Sequence, residues 1–63
     1  MRLDTRLVER MRNMPIGQVY AFPKRYTERH ELDVRKVLAN SGSVANWTLT
    51  IDAKGRWYAT KIH

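Results

Sequence analysis

The chain has no cysteine, so neither a disulfide framework nor a thiolate zinc site can supply the stability that small size withholds. Long apolar runs are missing too: none approaches the roughly 18 residues needed to span a bilayer. Met1-Arg2 leads directly into an amphipathic pattern, unlike a signal peptide. These absences predict an intracellular, cytoplasmic protein with no membrane partner. Acidic residues are scarce, six against twelve Lys and Arg, which leaves a formal net charge of +6. Such a balance attracts polyanions, of which nucleic acid is the commonest. The competing reading is that +6 only aids solubility, since a net charge of about 2 to 8 is ordinary for a small domain.

What is present suffices for one core. A chain of 63 residues buries only about 60% of the surface it exposes when unfolded, so residues 1–63 make a single small domain. Hydrophobic residues make up 43% of it, with two Trp, three Tyr and one Phe, which argues for a packed core and against disorder. Stability must then come from packing or self-association, as a monomer or a homodimer.

Leu3, Leu7, Val8, Met11 and Met14 recur at helical spacing and predict a helix over residues 3–14. Pro15 and Gly17 stop it. Arg2, Arg6 and Arg10 lie four apart and stack on its flank, as a phosphate ladder or a solvated face. Gln18 to Phe22 is apolar and β-prone before Pro23, a short strand or a helical turn. Lys24-Arg25-Tyr26 then sets two cations beside a ring in a segment expected to be exposed.

Thr27 is a good N-cap for a helical stretch ending at Asn40. In one continuous helix Thr27, His30, Val34, Val37 and Leu38 share a face, and Leu32 falls opposite. A break at Leu32-Asp33 repairs this: Asp33 caps a second helix, Val34 to Asn40, and Leu32 staples onto Val37. Both arrangements stand at this point. Ser41-Gly42 ends the helix.

From Val44 the period changes to two: Trp47, Leu49 and Ile51 alternate with Asn46, Thr48 and Thr50. Asp52-Ala-Lys-Gly55 has the chemistry of a type I turn with a G1 bulge, and Arg56 to Ile62 is the return strand. In the bulged register Ile51 faces Trp57 and Leu49 faces Ala59, with both tryptophans on the core side and Tyr58 outside. A four-residue loop would exchange Trp57 and Tyr58. The fold class is therefore α+β, N-terminal helices packed on a C-terminal antiparallel hairpin. Its expected core is Leu7, Met11, Val34, Val37, Leu38, Trp47, Leu49 and Ile51.

Catalytic chemistry finds no foothold. His30 and His63 are the only imidazoles and neither has companions at metal-ligand spacing. His30 falls on the apolar side of its helix, where a structural histidine is expected. Glu28, Glu31 and Asp33 sit beside Arg29, Arg35 and Lys36, and ordinary surface pairing accounts for them. No serine has an activating neighbour, and no glycine-rich loop leads into a helix. No enzyme, cofactor or metal is implied.

Binding chemistry remains. Eight of the twelve basic residues are Arg, whose planar fork pairs with phosphate and guanine. Divided at Met14 and Asn40, the three segments carry +2 each (4−2, 5−3 and 3−1), so only folding can gather the charge. In element order the chain resembles a reduced winged-helix domain: helix, short extended piece, helical pair broken at Leu32-Asp33, and a long hairpin tipped by Asp52 to Arg56. The resemblance implies a DNA-binding transcription regulator whose second paired helix enters the major groove while the hairpin tip touches backbone. Arg35, Lys36 and Asn40 on the helix, and Lys54 and Arg56 at the wing, would then be the contacts. The charge argument adds Lys24 and Arg25. Arg56, at a loop tip, is expected to have little packing to lose. Two other classes stay open: a protein-interaction module, inhibitor or adaptor, docking through Tyr58 and Tyr26; and RNA binding with Tyr58 or a tryptophan as stacking platform.

Overall fold

The computed structural model describes residues 3–63. Two helices pack against a three-stranded antiparallel sheet, as the α+β expectation requires. Helix α1 spans Thr5–Arg12. It begins at Thr5, later than the periodicity predicted, because Asp4 caps it: its Oδ1 accepts the Leu7 N–H at 3.1 Å. Leu7, Val8 and Met11 form its buried stripe, and Arg10 and Arg12 occupy the last turn, where the helix dipole favours cations. Met14 stays buried although the helix has ended before it.

Strand β1, Val19–Ala21, settles the ambiguous apolar segment as extended. A 3-10 turn, Glu28–His30, then runs into helix α2, Glu31–Asn40. The break expected at Leu32-Asp33 is absent. The geometry changes two residues earlier, at His30–Glu31, and Asp33 lies inside the first turn instead of capping it. Leu32 is 75% exposed and staples onto nothing. Starting at Glu31 puts Val34, Val37 and Leu38 together in the core, each no more than 1% exposed. It also places Glu31 and Asp33 at the positive end of the helix dipole.

Ser41 latches the two helices. Its buried hydroxyl lies 2.7 Å from the Val37 carbonyl and 3.1 Å from that of Val8. The C-terminal ends are tied further by the Arg12 guanidinium, which donates to the Asn40 carbonyl at 2.8 Å. The strand expected from Val44 starts late, because Ser43 Oγ accepts the Ala45 N–H and winds Val44–Asn46 into a 3-10 turn.

Strands β2, Trp47–Ile51, and β3, Trp57–Lys61, pair in the bulged register, with Ile51 opposite Trp57 and Leu49 opposite Ala59. Asp52 N–H donates to the Arg56 carbonyl and Gly55 N–H to that of Asp52, both at 3.0 Å. Gly55 has φ +81°, the left-handed geometry that the bulge demands and glycine adopts without strain. Strand β1 adds to the far side of β3, so the sheet order is β1-β3-β2.

The core is wider than the expected eight residues. Val8 and Met14 from the apolar stripe and Trp57 from the core side of the hairpin join it, as do Phe22, Tyr26 and Ala59. Two expected members fall short. Leu49 is half-buried at the core's edge, and Ile51, in the last ladder pair before the turn, is 40% exposed. Tyr26, expected at the surface, is 1% exposed. Among the described residues no buried side-chain nitrogen or oxygen lacks a partner, and no helix is long and apolar enough to cross a membrane.

Candidate functional site

Between β1 and the 3-10 turn the chain makes a β-turn, closed by the Tyr26 N–H donating to the Pro23 carbonyl at 3.0 Å. Lys24 and Arg25 are its two central residues. The residues bracketing them, Phe22 and Tyr26, are buried with rings packed edge to face, centroids 5.5 Å apart. The turn is thus mounted on two aromatic posts, and polar bonds fasten it to the base of the hairpin. Phe22 N–H donates to the Trp57 carbonyl at 2.9 Å, Trp57 Nε1–H to the Thr27 carbonyl at 2.8 Å, and Arg56 Nε–H to the Phe22 carbonyl at 3.0 Å. Thr27 N–H in turn donates to His30 Nδ1 at 3.1 Å. This gives the half-buried His30 the structural role its position predicted.

This mounting sets Lys24 over the hairpin tip. Lys24, Thr27, the tip residues Asp52 to Arg56 and Tyr58 line a shallow depression of about 640 Å³. Three of the sequence-derived cations, Lys24, Lys54 and Arg56, therefore meet here. The single acid among them is occupied. Asp52 Oδ1 accepts the Lys54 and Arg56 N–H groups at 2.9 Å, and Oδ2 accepts the Tyr58 hydroxyl at 3.0 Å. The Arg56 N–H bond above all holds the Asp52 carboxyl below the usual aspartate range; desolvation opposes it, and the bonds from Tyr58 and Lys54 add to the lowering. The same bond to Asp52 pushes the Tyr58 phenol up.

Arg25 faces a second depression, lined by Asp4, Arg6, Leu7, Arg10, Tyr20, Pro23 and Arg25. It pairs with Asp4 Oδ2 and lies 5.1 Å over the Tyr26 ring, and Arg10 lies 5.6 Å over Tyr20. Arg6 and Arg10 were noted for their spacing but had no place among the expected contacts. The (i, i+4) ladder was the signal that pointed to them. Arg2, which that spacing adds to the row, lies outside the described residues.

The remaining three predicted contacts sit on α2. Arg35 Nε donates to Glu31 at 2.9 Å within the helix. Asn40 Nδ2 turns back onto the Lys36 carbonyl at 2.7 Å, so its amide is engaged in its own helix. Across the 3-10 turn and α2, Glu28, Glu31 and Asp33 offset Arg29, Arg35 and Lys36 charge for charge. The positive excess of the described residues therefore lies outside that segment.

Several expected handles are structural. Arg56 is half-buried and bonded to a backbone carbonyl, so it has packing to lose, contrary to its position at a loop tip. Both tryptophans are 6% exposed and Tyr26 only 1%. None of the three can serve as a stacking platform or docking surface. Among the described residues no group of three or more His, Asp or Glu could hold a metal ion. No family model, curated protein or solved structure matches the chain.

Proposed function

We propose that this domain binds nucleic acid, duplex DNA ahead of RNA, as a small regulator that uses the hairpin as a wing. The observation that carries the reading is the meeting of Lys24, Lys54 and Arg56 around one depression whose only acid is internally bonded. Lysine acts on phosphate as a point charge and arginine as a fork of donors. The bond from Arg56 to the Phe22 carbonyl uses Nε, and its terminal nitrogens remain donors. The resemblance to a winged helix supports the reading through the wing; the helical pair is reduced here to one 3-10 turn before α2. A protein-interaction module is the second reading, favoured by the exposed apolar side chains of Ile16, Val19 and Leu32.

Salt dependence separates the two readings. With about four to six phosphates neutralised, log K should fall against log salt with a slope of about −4 to −5, or roughly 250- to 1,000-fold between 50 and 200 mM. Fluorescence anisotropy with a mixed-sequence duplex, a single strand and an RNA hairpin measures it. The steepest and tightest response is expected for the duplex. Millimolar, salt-insensitive association with all three probes would end the nucleic-acid reading and leave the interaction module.

A further inference from the structure

The two basic depressions share one turn. Its central residues diverge: Lys24 joins Lys54 and Arg56 in the first depression, and Arg25 joins Arg6 and Arg10 in the second. Building on the reading above, we infer that DNA is gripped along an edge running from the hairpin tip, across the Pro23–Tyr26 turn, to the flank of α1 that carries Arg6 and Arg10, and not along α2. This is a different edge from the one the winged-helix resemblance implied, where α2 would lead.

Three observations place the edge. The first is rigidity: the turn stands on Phe22 and Tyr26, both buried, and is bonded to the hairpin base through Arg56 and Trp57. The backbone that carries its cations is held in a set geometry, which lowers the ordering cost of binding. The second is the state of the acids. Asp52 is occupied by two backbone N–H groups and the Tyr58 hydroxyl. Asp4 is occupied by the Leu7 N–H and by Arg25. Neither presents an unpaired carboxylate to a phosphate backbone. The third is the contrast with α2: across it and the preceding 3-10 turn, Glu28, Glu31 and Asp33 match Arg29, Arg35 and Lys36 charge for charge. A polyphosphate approaching α2 would meet repulsion as well as attraction; along the turn it meets cations drawn from three parts of the chain.

Three double variants test the edge by anisotropy with duplex DNA, each first checked for an unchanged thermal melt. Arg6→Gln with Arg10→Gln, and Lys24→Gln with Lys54→Gln, should each flatten the salt slope by about two, one for each lost phosphate contact. Lys24 and Lys54 are exposed, so that pair keeps the test valid even if losing Arg10 from Tyr20 disturbs the fold. Arg35→Gln with Lys36→Gln should leave the slope within error of the parent. A flattening by about two in the α2 pair, with the other two pairs unchanged, would overturn the edge but keep DNA binding. A parent protein with no salt-dependent binding would overturn the DNA reading itself.

Discussion

The chain contains two adjacent pairs of basic residues, Lys24-Arg25 and Arg35-Lys36, that look equivalent as sequence and are not equivalent in the folded molecule. The first occupies the centre of a turn between two buried rings, with its flanking acids engaged in hydrogen bonds. Each pair has one ion-paired arginine, Arg25 with Asp4 across the fold and Arg35 with Glu31 at (i, i+4), but the second pair lies on a helix whose acids match its bases. A basic dipeptide acquires its value from what holds it and from which acids share its surface. Surface pairs of the second kind contribute little to stability, about 0.3–0.5 kcal/mol.

The strongest way to break this comparison is to remove a post. Phe22 is fully buried against Tyr20 and Tyr26. Phe22→Ala should cost about 3–5 kcal/mol, a large share of the total of about 3–9 kcal/mol expected at this chain length. Chemical denaturation measures the loss, and an unchanged midpoint would mean that the turn is not held by its rings. A step smaller is the phase of α2. Leu38→Ala should cost about 2–5 kcal/mol, whereas Leu32→Ala should stay within about 0.5 kcal/mol. Equal effects in paired thermal melts would show that the helix begins elsewhere. Ser41→Ala should cost about 1 kcal/mol, because it unlatches α2 from the Val8 carbonyl. No change on denaturation would show the latch to be idle.

The smallest effect concerns the acid beneath the wing. The folded-state pKa of Asp52 is lowered, so its contribution to stability is fully present above the ordinary aspartate value and is lost as pH falls through the lowered one. The folded-state pKa of Tyr58 is raised, so its contribution holds below the ordinary tyrosine value and is lost as pH rises through the raised one. Neutral pH should leave both intact. Asp52→Asn should move the Tyr58 titration, followed by the phenol's ring resonances in NMR, back toward the ordinary range. A titration that did not move would place Tyr58 away from Asp52.

What could be read from the sequence was what local physics decides. Period two over Trp47–Ile51 and the Asp52–Gly55 chemistry were enough for the hairpin and narrowed its register to two, of which the bulged one is found, because strand alternation and turn geometry involve neighbouring residues only. The burial of Tyr26 was not legible. Lys24 and Arg25 beside it mark a polar surface, and only packing against Phe22 and the sheet draws the ring in. The start of α2 could not be chosen from the sequence, because the unbroken stretch and the broken pair both put Val34, Val37 and Leu38 on one face and differ in Leu32, which the fold leaves exposed. Arg56 shows the limit for the site. Its bond to Phe22 spans 34 positions of the chain, and no local pattern announces it. Charge and spacing revealed that cations were present, and folding determined which of them meet.

Backbone amide shift mapping by heteronuclear NMR, with a short duplex titrated at low salt, tests the central claim most directly. The account predicts that the largest perturbations fall on the turn at Lys24 and Arg25, the hairpin tip at Lys54 to Arg56, and the flank of α1 at Arg6 and Arg10. Perturbations centred on Glu31–Asn40, or none anywhere, would contradict it.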